Sequence, residues 1–130
     1  MKVKVVSSAA KLFEEENVNS ISLPGEAGQM QILNDHTDIV SNLKIGEVVV
    51  KHGENSEKIV INGGLLVFRK NEALVLANEA TKAGDLVEAE IDKAIAQAEK
   101  KLESELEPSE LIQLERILRY EKFKKQRANV

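Results

Sequence analysis

The residues of this 130-residue chain whose types and spacing could do chemistry crowd into "QILNDHTDIVSNLKIGEV", where Asp35, His36 and Asp38 surround one of only two histidines. A carboxylate that orients an imidazole makes a general acid or base, and this is the sharpest reaction the cluster could support. It lacks a nucleophile to serve, because the chain has no cysteine and no Gly-x-Ser-x-Gly elbow. As a metal site, His36 and the two carboxylates offer three ligands inside four consecutive residues, and only His52 could add a second imidazole. Asn, Asp, His, Thr and Asp are also the residues of a tight turn, since short polar side chains bond to nearby backbone. A structural turn or an interface is therefore expected, with no catalytic residue and no metal site. "NGGLL" (Asn62 to Leu66) is not a phosphate cradle either, because no Gly-Lys-Ser and no helix follow it; glycines serving a turn or bulge explain it.

The elements that must position these residues follow from composition and period. A chain of this length with three Phe, one Tyr and no Trp fits one small domain or two very small ones. Without cysteine there is no disulfide framework and no thiolate metal site, which suits a reducing compartment. The start "MKVKVVSSAAKLF" lacks a signal peptide's long apolar centre, and no apolar run approaches the roughly 20 residues of a membrane span. A soluble protein on the cytosolic side is expected. The net charge of −4 is unevenly spread: Met1 to Glu115 carries 12 Lys or Arg against 21 Asp or Glu, whereas Arg116 to Val130 carries 6 against 1. A basic end on an acidic body calls for a partner with negative charge, and nucleic acid is a poor candidate for so acidic a body.

Up to residue 84, short runs of period-two character ("KVKVV", "VNSISL", "QIL", "GEVVVK", "EKIVI", "LLVF", "ALVLA") alternate with polar or glycine-bearing breaks. Valine and isoleucine enrichment with frequent turns predicts an all-β sandwich or barrel, each run burying one face. Leu12 and Phe13, before "EEE", predict an apolar clasp followed by a solvated turn. Gly84 and Asp85 end this pattern. Val87, Ile91, Ala94, Ala98 and Leu102 then recur at helical spacing, flanked by Ile95 and Leu106. Pro108 stops that helix and Ser109 can cap a second one running towards Lys125, so an antiparallel hairpin is expected.

On a wheel of about 100° per residue, Leu111, Leu114, Ile117 and Leu118 share the arc that should pack on the first helix. Arg116, Tyr120, Phe123 and Arg127 gather almost opposite. Aromatics interleaved with arginines make a docking surface; alternatively, Tyr120 and Phe123 rest on the β domain and the cations are merely solvated.

Three stretches resemble the epsilon-subunit family of the rotary ATP synthases, called delta in mitochondria: "LPGEAGQMQILNDH" (Leu23 to His36), "LKIGEV" (Leu43 to Val48) and "NGGLLVFRKNEALVLANEA" (Asn62 to Ala80), in the family's order and spacing. The resemblance implies an N-terminal β-sandwich of about ten strands over residues 1–84, for rotor assembly, and a C-terminal antiparallel two-helix hairpin over 85–130, for regulation. It implies a non-catalytic central-stalk subunit of a proton-translocating complex, coupling gamma to the ring of c subunits, with no cofactor. Glu26, Gln29, Met30 and His36 are then candidates for the rotor interface. Arg116, Arg119, Tyr120, Lys122, Phe123, Lys124 and Arg127 are candidates for contacts by which the hairpin reaches an acidic segment of the beta subunit and inhibits ATP hydrolysis. Some bacterial members bind ATP through Ile/Leu-Asp-x-x-Arg-Ala; here "IDKAIA" keeps Ile91, Asp92 and Ala96 but has Ile95 for the arginine, and an isoleucine cannot hold a phosphate. Where family members commonly have Gly before Ile-Leu and Pro-Gly before the histidine, this chain has Gln31 and Asn34-Asp35. The implied location is peripheral, on the cytoplasmic face of a bacterial plasma membrane, since no transit peptide is visible. The competing readings are a cytosolic β-domain adaptor with a basic docking hairpin, and a hydrolase or metal enzyme centred on His36.

Overall fold

Alternating apolar and polar residues in "KVKVVS" and a continuous apolar run in "EALVLA" build two strands, β1 (Lys2–Ser7) and β7 (Glu72–Ala77), that pair in parallel from Lys2↔Glu72 to Ser7↔Ala77. In the computed structural model, which describes residues 1–128, the chain forms two units, Met1–Ala83 and the stretch from Gly84 onward. The first holds eight strands: besides β1 and β7 they are β2 (Lys11–Glu15), β3 (Ser20–Gly25), β4 (Gly28–Leu33), β5 (Ile39–His52), β6 (Asn55–Arg69) and β8 (Ala80–Lys82). Their order is β2-β1-β7-β6-β5-β3-β4, with β8 on β6.

Two long strands make this ladder a sandwich. The upper half of β6 pairs with β7 (Gly64↔Ala77 to Arg69↔Glu72) and its lower half with β8 (Ile59↔Lys82 to Ile61↔Ala80), while β5 accompanies it throughout, from Ile39↔Phe68 to His52↔Asn55. Lys44 and Gly63 interrupt that ladder, and across them both strands change the parity that faces the core. In β5 the core residues pass from Leu43 to Val48 and Val50; in β6 they pass from Ile59 and Ile61 to Leu66 and Phe68. Each strand thus serves both layers, which is why eight strands do the work of the ten or so expected. Glycines permit the bend: a Cβ on Gly46 would lie 2.4 Å from the Cβ of Pro24, and one on Gly64, whose φ is +152°, would lie 2.2 Å from the carbonyl oxygen of Leu76.

Val3, Val5, Leu66, Phe68 and Val75 from one layer meet Ile21, Leu23, Ile32, Val48, Val50, Ile59 and Ile61 from the other, all essentially fully buried. Side chains of this size stabilise by about 1.5–3 kcal/mol each when fully buried. Leu12 and Phe13 pack against the core as the expected clasp, but as part of strand β2, antiparallel to β1, which also takes in Glu14 and Glu15 where a solvated turn was expected.

The second unit begins with a 3-10 turn at Ala83–Asp85 and continues as α1 (Glu88–Leu102) and α2 (Pro108–Ala128). Ser109 does not cap α2. Pro108 is its first helical residue, a position where a missing N–H costs nothing, and the Leu111 N–H donates to the Glu107 carbonyl at 3.1 Å. Ala98, Leu114 and Leu118 are buried in the seam between the helices, with Ile95, Leu102 and Leu106 packed against them. Leu111 and Ile117, assigned above to the same arc, stay 41% and 45% exposed, and Val87, assigned to the α1 stripe, precedes the helix and is 49% exposed. A seam centred on an alanine is narrow, so residues some 60° off its axis miss it.

Candidate functional site

The acidic-histidine stretch is a loop clamped by side-chain-to-backbone hydrogen bonds. Asp35 sits in the left-handed region (φ 62°), and its N–H donates to Asn71 Oδ1 at 2.8 Å. Asp38 Oδ1 accepts the N–H of Lys70 at 3.2 Å. Lys70 and Asn71 are themselves the two left-handed residues (φ 50° and 59°) of the tight β6–β7 turn, so one loop is tied to another. Asn34 accepts from the Met1 nitrogen through Oδ1 and donates through Nδ2 to the Val18 carbonyl at 3.4 Å. His36 donates from Nδ1 to the Thr37 carbonyl at 2.7 Å and meets the Phe68 ring edge-on, with centroids 5.9 Å apart. Among the described residues no group of three or more His, Asp or Glu side chains is arranged to hold a metal. The geometry anchors a loop. It aims no base at a substrate.

The four rotor candidates do not share one patch. Glu26 forms the two-residue β3–β4 turn with Ala27, its N–H donating to the Asn42 carbonyl at 3.1 Å and its Oε2 accepting from Asn42 Nδ2 at 3.3 Å. Gln29 is exposed, and Met30 is half-buried with its side chain against Gly25. His36 lies beyond the opposite end of β4, one six-residue strand or roughly 20 Å away.

A larger surface went unread in the sequence. On the outer side of the β1/β7/β6 layer, ladder partners run Val40↔Val67↔Leu74 in one row and Leu65↔Leu76↔Val6 in the next. Val40 is 66% and Leu76 41% exposed, and the other four are half-buried. Six adjoining apolar side chains thus share one sheet face. The signal was present: "LLVF" and "ALVLA" are apolar at consecutive positions, which is the pattern of strands covered on both faces.

In the hairpin, two positions of the nucleotide motif, Asp92 and Ile95, are engaged by contacts within the unit. Ile91 is buried and Ile95 lies against the α1–α2 seam, Ala96 is exposed, and Asp92 Oδ1 holds Lys125 Nζ at 2.7 Å. That bond and the attraction of the carboxylate push the Lys125 ammonium above its ordinary range, with a smaller contribution from Glu88. Lys125 was not among the candidate cations. Of those that were, Arg116, Arg119 and Lys122 are exposed. Lys124 pairs with Glu121 at 2.9 Å and lies over the Tyr120 ring, 4.8 Å from its centroid, and Arg127 lies 5.0 Å over the Phe123 ring. Tyr120 is buried and Phe123 half-buried, so the two rings serve as seats for cations one turn on, and the open part of the arc is the exposed cations. No described helix is long and apolar enough to cross a membrane.

Comparison with known proteins agrees with this architecture. A family model described as ATP synthase, Delta/Epsilon chain, beta-sandwich domain matches residues 1–83. The ATP synthase epsilon chain of Dichelobacter nodosus is 34% identical over 122 residues, covering 93% of this chain and 82% of the relative. That of Bordetella parapertussis is 35% identical over 114 residues, covering 87% and 81%. Among solved structures, a chain of the Euglena gracilis mitochondrial ATP synthase (OSCP/F1/c-ring, rotational state 1) superposes with a TM-score of 0.78 at 21% identity, over 95% of this chain and 78% of that one, a likeness of fold.

Proposed function

The chain belongs to the delta/epsilon family of ATP synthase, as a non-catalytic epsilon subunit, and from that premise we propose how its two units divide the work. The β unit, residues 1–84 in this reading, is the assembly domain that joins gamma to the c ring in the central stalk. The hairpin, residues 85–130, is the regulatory domain that restrains ATP hydrolysis by presenting cations to an acidic segment of beta. The subunit associates peripherally with the cytoplasmic face of a bacterial membrane through the complex it joins.

The single observation that carries the reading is the apolar outer face of Val6, Val40, Leu65, Val67, Leu74 and Leu76. Apolar surface left in water costs about 25 cal/mol per Å² relative to burial, so a sheet that keeps six such side chains outward is built to be covered. The exposed Arg116, Arg119 and Lys122 support the second half, since cations on a surface steer an acidic partner and fix its register. The engagement of Asp92 by Lys125 and of Ile95 by the seam supports a hairpin that works without bound nucleotide.

Two experiments test the division. Replacing Val40 and Leu76 together by Asp is expected to leave the strand content unchanged by circular dichroism and to abolish co-purification with gamma and the c ring; retained co-purification overturns the assembly role. Replacing Arg116, Arg119, Lys122 and Lys124 together by Ala is expected to raise ATP hydrolysis by the reconstituted head several-fold. Unchanged hydrolysis removes these charges from inhibition.

A further inference from the structure

The exposed cations of α2 continue past Lys122. Arg116, Arg119, Lys122 and Lys125 follow at intervals of three residues, so each lies beside the next in one gently turning row, roughly 14 Å long at 1.5 Å per residue. The first three reach solvent, whereas Lys125 is engaged, its Nζ 2.7 Å from Asp92 Oδ1. Glu88, one turn before Asp92 on the same side of α1, attracts the same ammonium.

The hairpin itself brings these charges together. Glu88, Glu90 and Asp92 stand at the start of α1, and Lys125 and Arg127 stand in the last turn of α2, each sign favoured by the dipole of its own helix. Folding back sets the acidic start beside the basic end. The pair stays open to water, with 43% of the Lys125 side chain and 47% of the Asp92 side chain exposed, so a second carboxylate can approach the same ammonium. An exposed pair of this kind is weak and easily exchanged.

We propose that Asp92, with Glu88, holds Lys125 in reserve: the acidic start of α1 occupies the end of the cation row that an acidic partner segment takes, and the partner gains Lys125 by displacing Asp92. This rests on the inhibitory reading of the hairpin and names a competing contact, inside the chain, that sets its threshold. A partner segment with several carboxylates engages the row from Arg116 to Lys125 together, whereas Asp92 reaches its last member, so a partner seated on the three exposed cations outcompetes Asp92. One carboxylate then replaces another on Lys125, which keeps the exchange reversible.

Titration of the reconstituted head with the full chain, read as the concentration that half-inhibits ATP hydrolysis, tests this. Asp92→Asn removes the competing charge while keeping the shape and is expected to lower that concentration about two- to fivefold, the scale of an exposed ion pair; Asp92→Glu, which keeps the charge, is expected to match the native chain. A concentration unmoved or raised by Asp92→Asn overturns the inference. Lys125→Ala breaks the same pair but also removes the cation, so it is expected not to lower the concentration, and equal lowering by both variants assigns the effect to loosened helices and overturns the inference. In the Lys125→Ala chain, adding Asp92→Asn is expected to change nothing; an undiminished effect there shows Asp92 acting elsewhere and overturns it as well. If the joint replacement of Arg116, Arg119, Lys122 and Lys124 leaves hydrolysis unchanged, the inhibitory reading falls and takes the inference with it. If that replacement raises hydrolysis while Asp92→Asn does nothing, the inference alone falls.

Discussion

Asp92 Oδ1 and Lys125 Nζ lie 2.7 Å apart and tie the second turn of α1 to the last turn of α2. At the other end the helices are joined covalently, and between the two ends the seam is thin, with Ala98, Leu114 and Leu118 as its buried members. An exposed ion pair contributes little to stability and is screened by salt. Its position matters more than its strength, since it closes the end of the hairpin that has no loop.

Opening that end is the expected effect of Lys125→Ala. Amide exchange in Glu88–Ile95 and in the last turn of α2 should quicken while the β unit is unaffected, and 1 M salt should do the same to the native chain. The pH dependence has a definite sign. Because the folded chain holds the Lys125 ammonium above the ordinary value of 10.5, its contribution is complete below that value and is lost as pH rises through the higher folded one. Alkaline titration of helicity should show this loss in the native chain and not in Asp92→Asn.

Glu14 predicts the opposite limb. Hydrogen bonds from Lys11 and then Lys2 hold its carboxyl below the ordinary 4.5, so its contribution is complete above that value and is lost as pH falls through the lower folded one. Glu14→Gln, followed by circular dichroism, should be less stable than the native chain near neutral pH and should lack that part of the loss of stability as pH falls.

The bend of β5 and β6 should reject side chains. Gly64→Ala drives a methyl against the Leu76 carbonyl and forces a non-glycine residue into its conformation, and Gly46→Ala drives one into Pro24. Each should cost at least about 2 kcal/mol in urea denaturation. Gly84→Ala, where nothing lies within 4 Å of the new methyl, is the matched control and should be neutral or mildly stabilising.

At the clamped loop, Asp35→Gly should change stability by no more than about 0.5 kcal/mol, because relief of the left-handed conformation is offset by the entropy of the unfolded glycine. Asn71→Ala should cost about 1–2 kcal/mol, since it removes the acceptor of the Asp35 N–H and puts alanine at φ 59°. Denaturation midpoints of the two variants separate these effects.

The residues of the chain disclosed its class and its parts unequally. The change from period two to helical period at Gly84–Asp85 is written in neighbouring residues, so the β-then-hairpin order was legible, as was the turn chemistry of Asn34–Asp38. The family motifs at Leu23–His36, Leu43–Val48 and Asn62–Ala80 were legible for the same reason, being contiguous. Alternation could not say which face of β6 and β7 a second layer would cover, because "LLVF" and "ALVLA" are apolar on both, and the outward row of Val40, Val67 and Leu74 exists only once three strands are in register. Nor could a helical wheel show that Asp92 would find Lys125 across the hairpin. Local sequence determined what each segment becomes, and the tertiary structure decided which surfaces stay open, because that depends on partners distant along the chain and on the one register in which they meet.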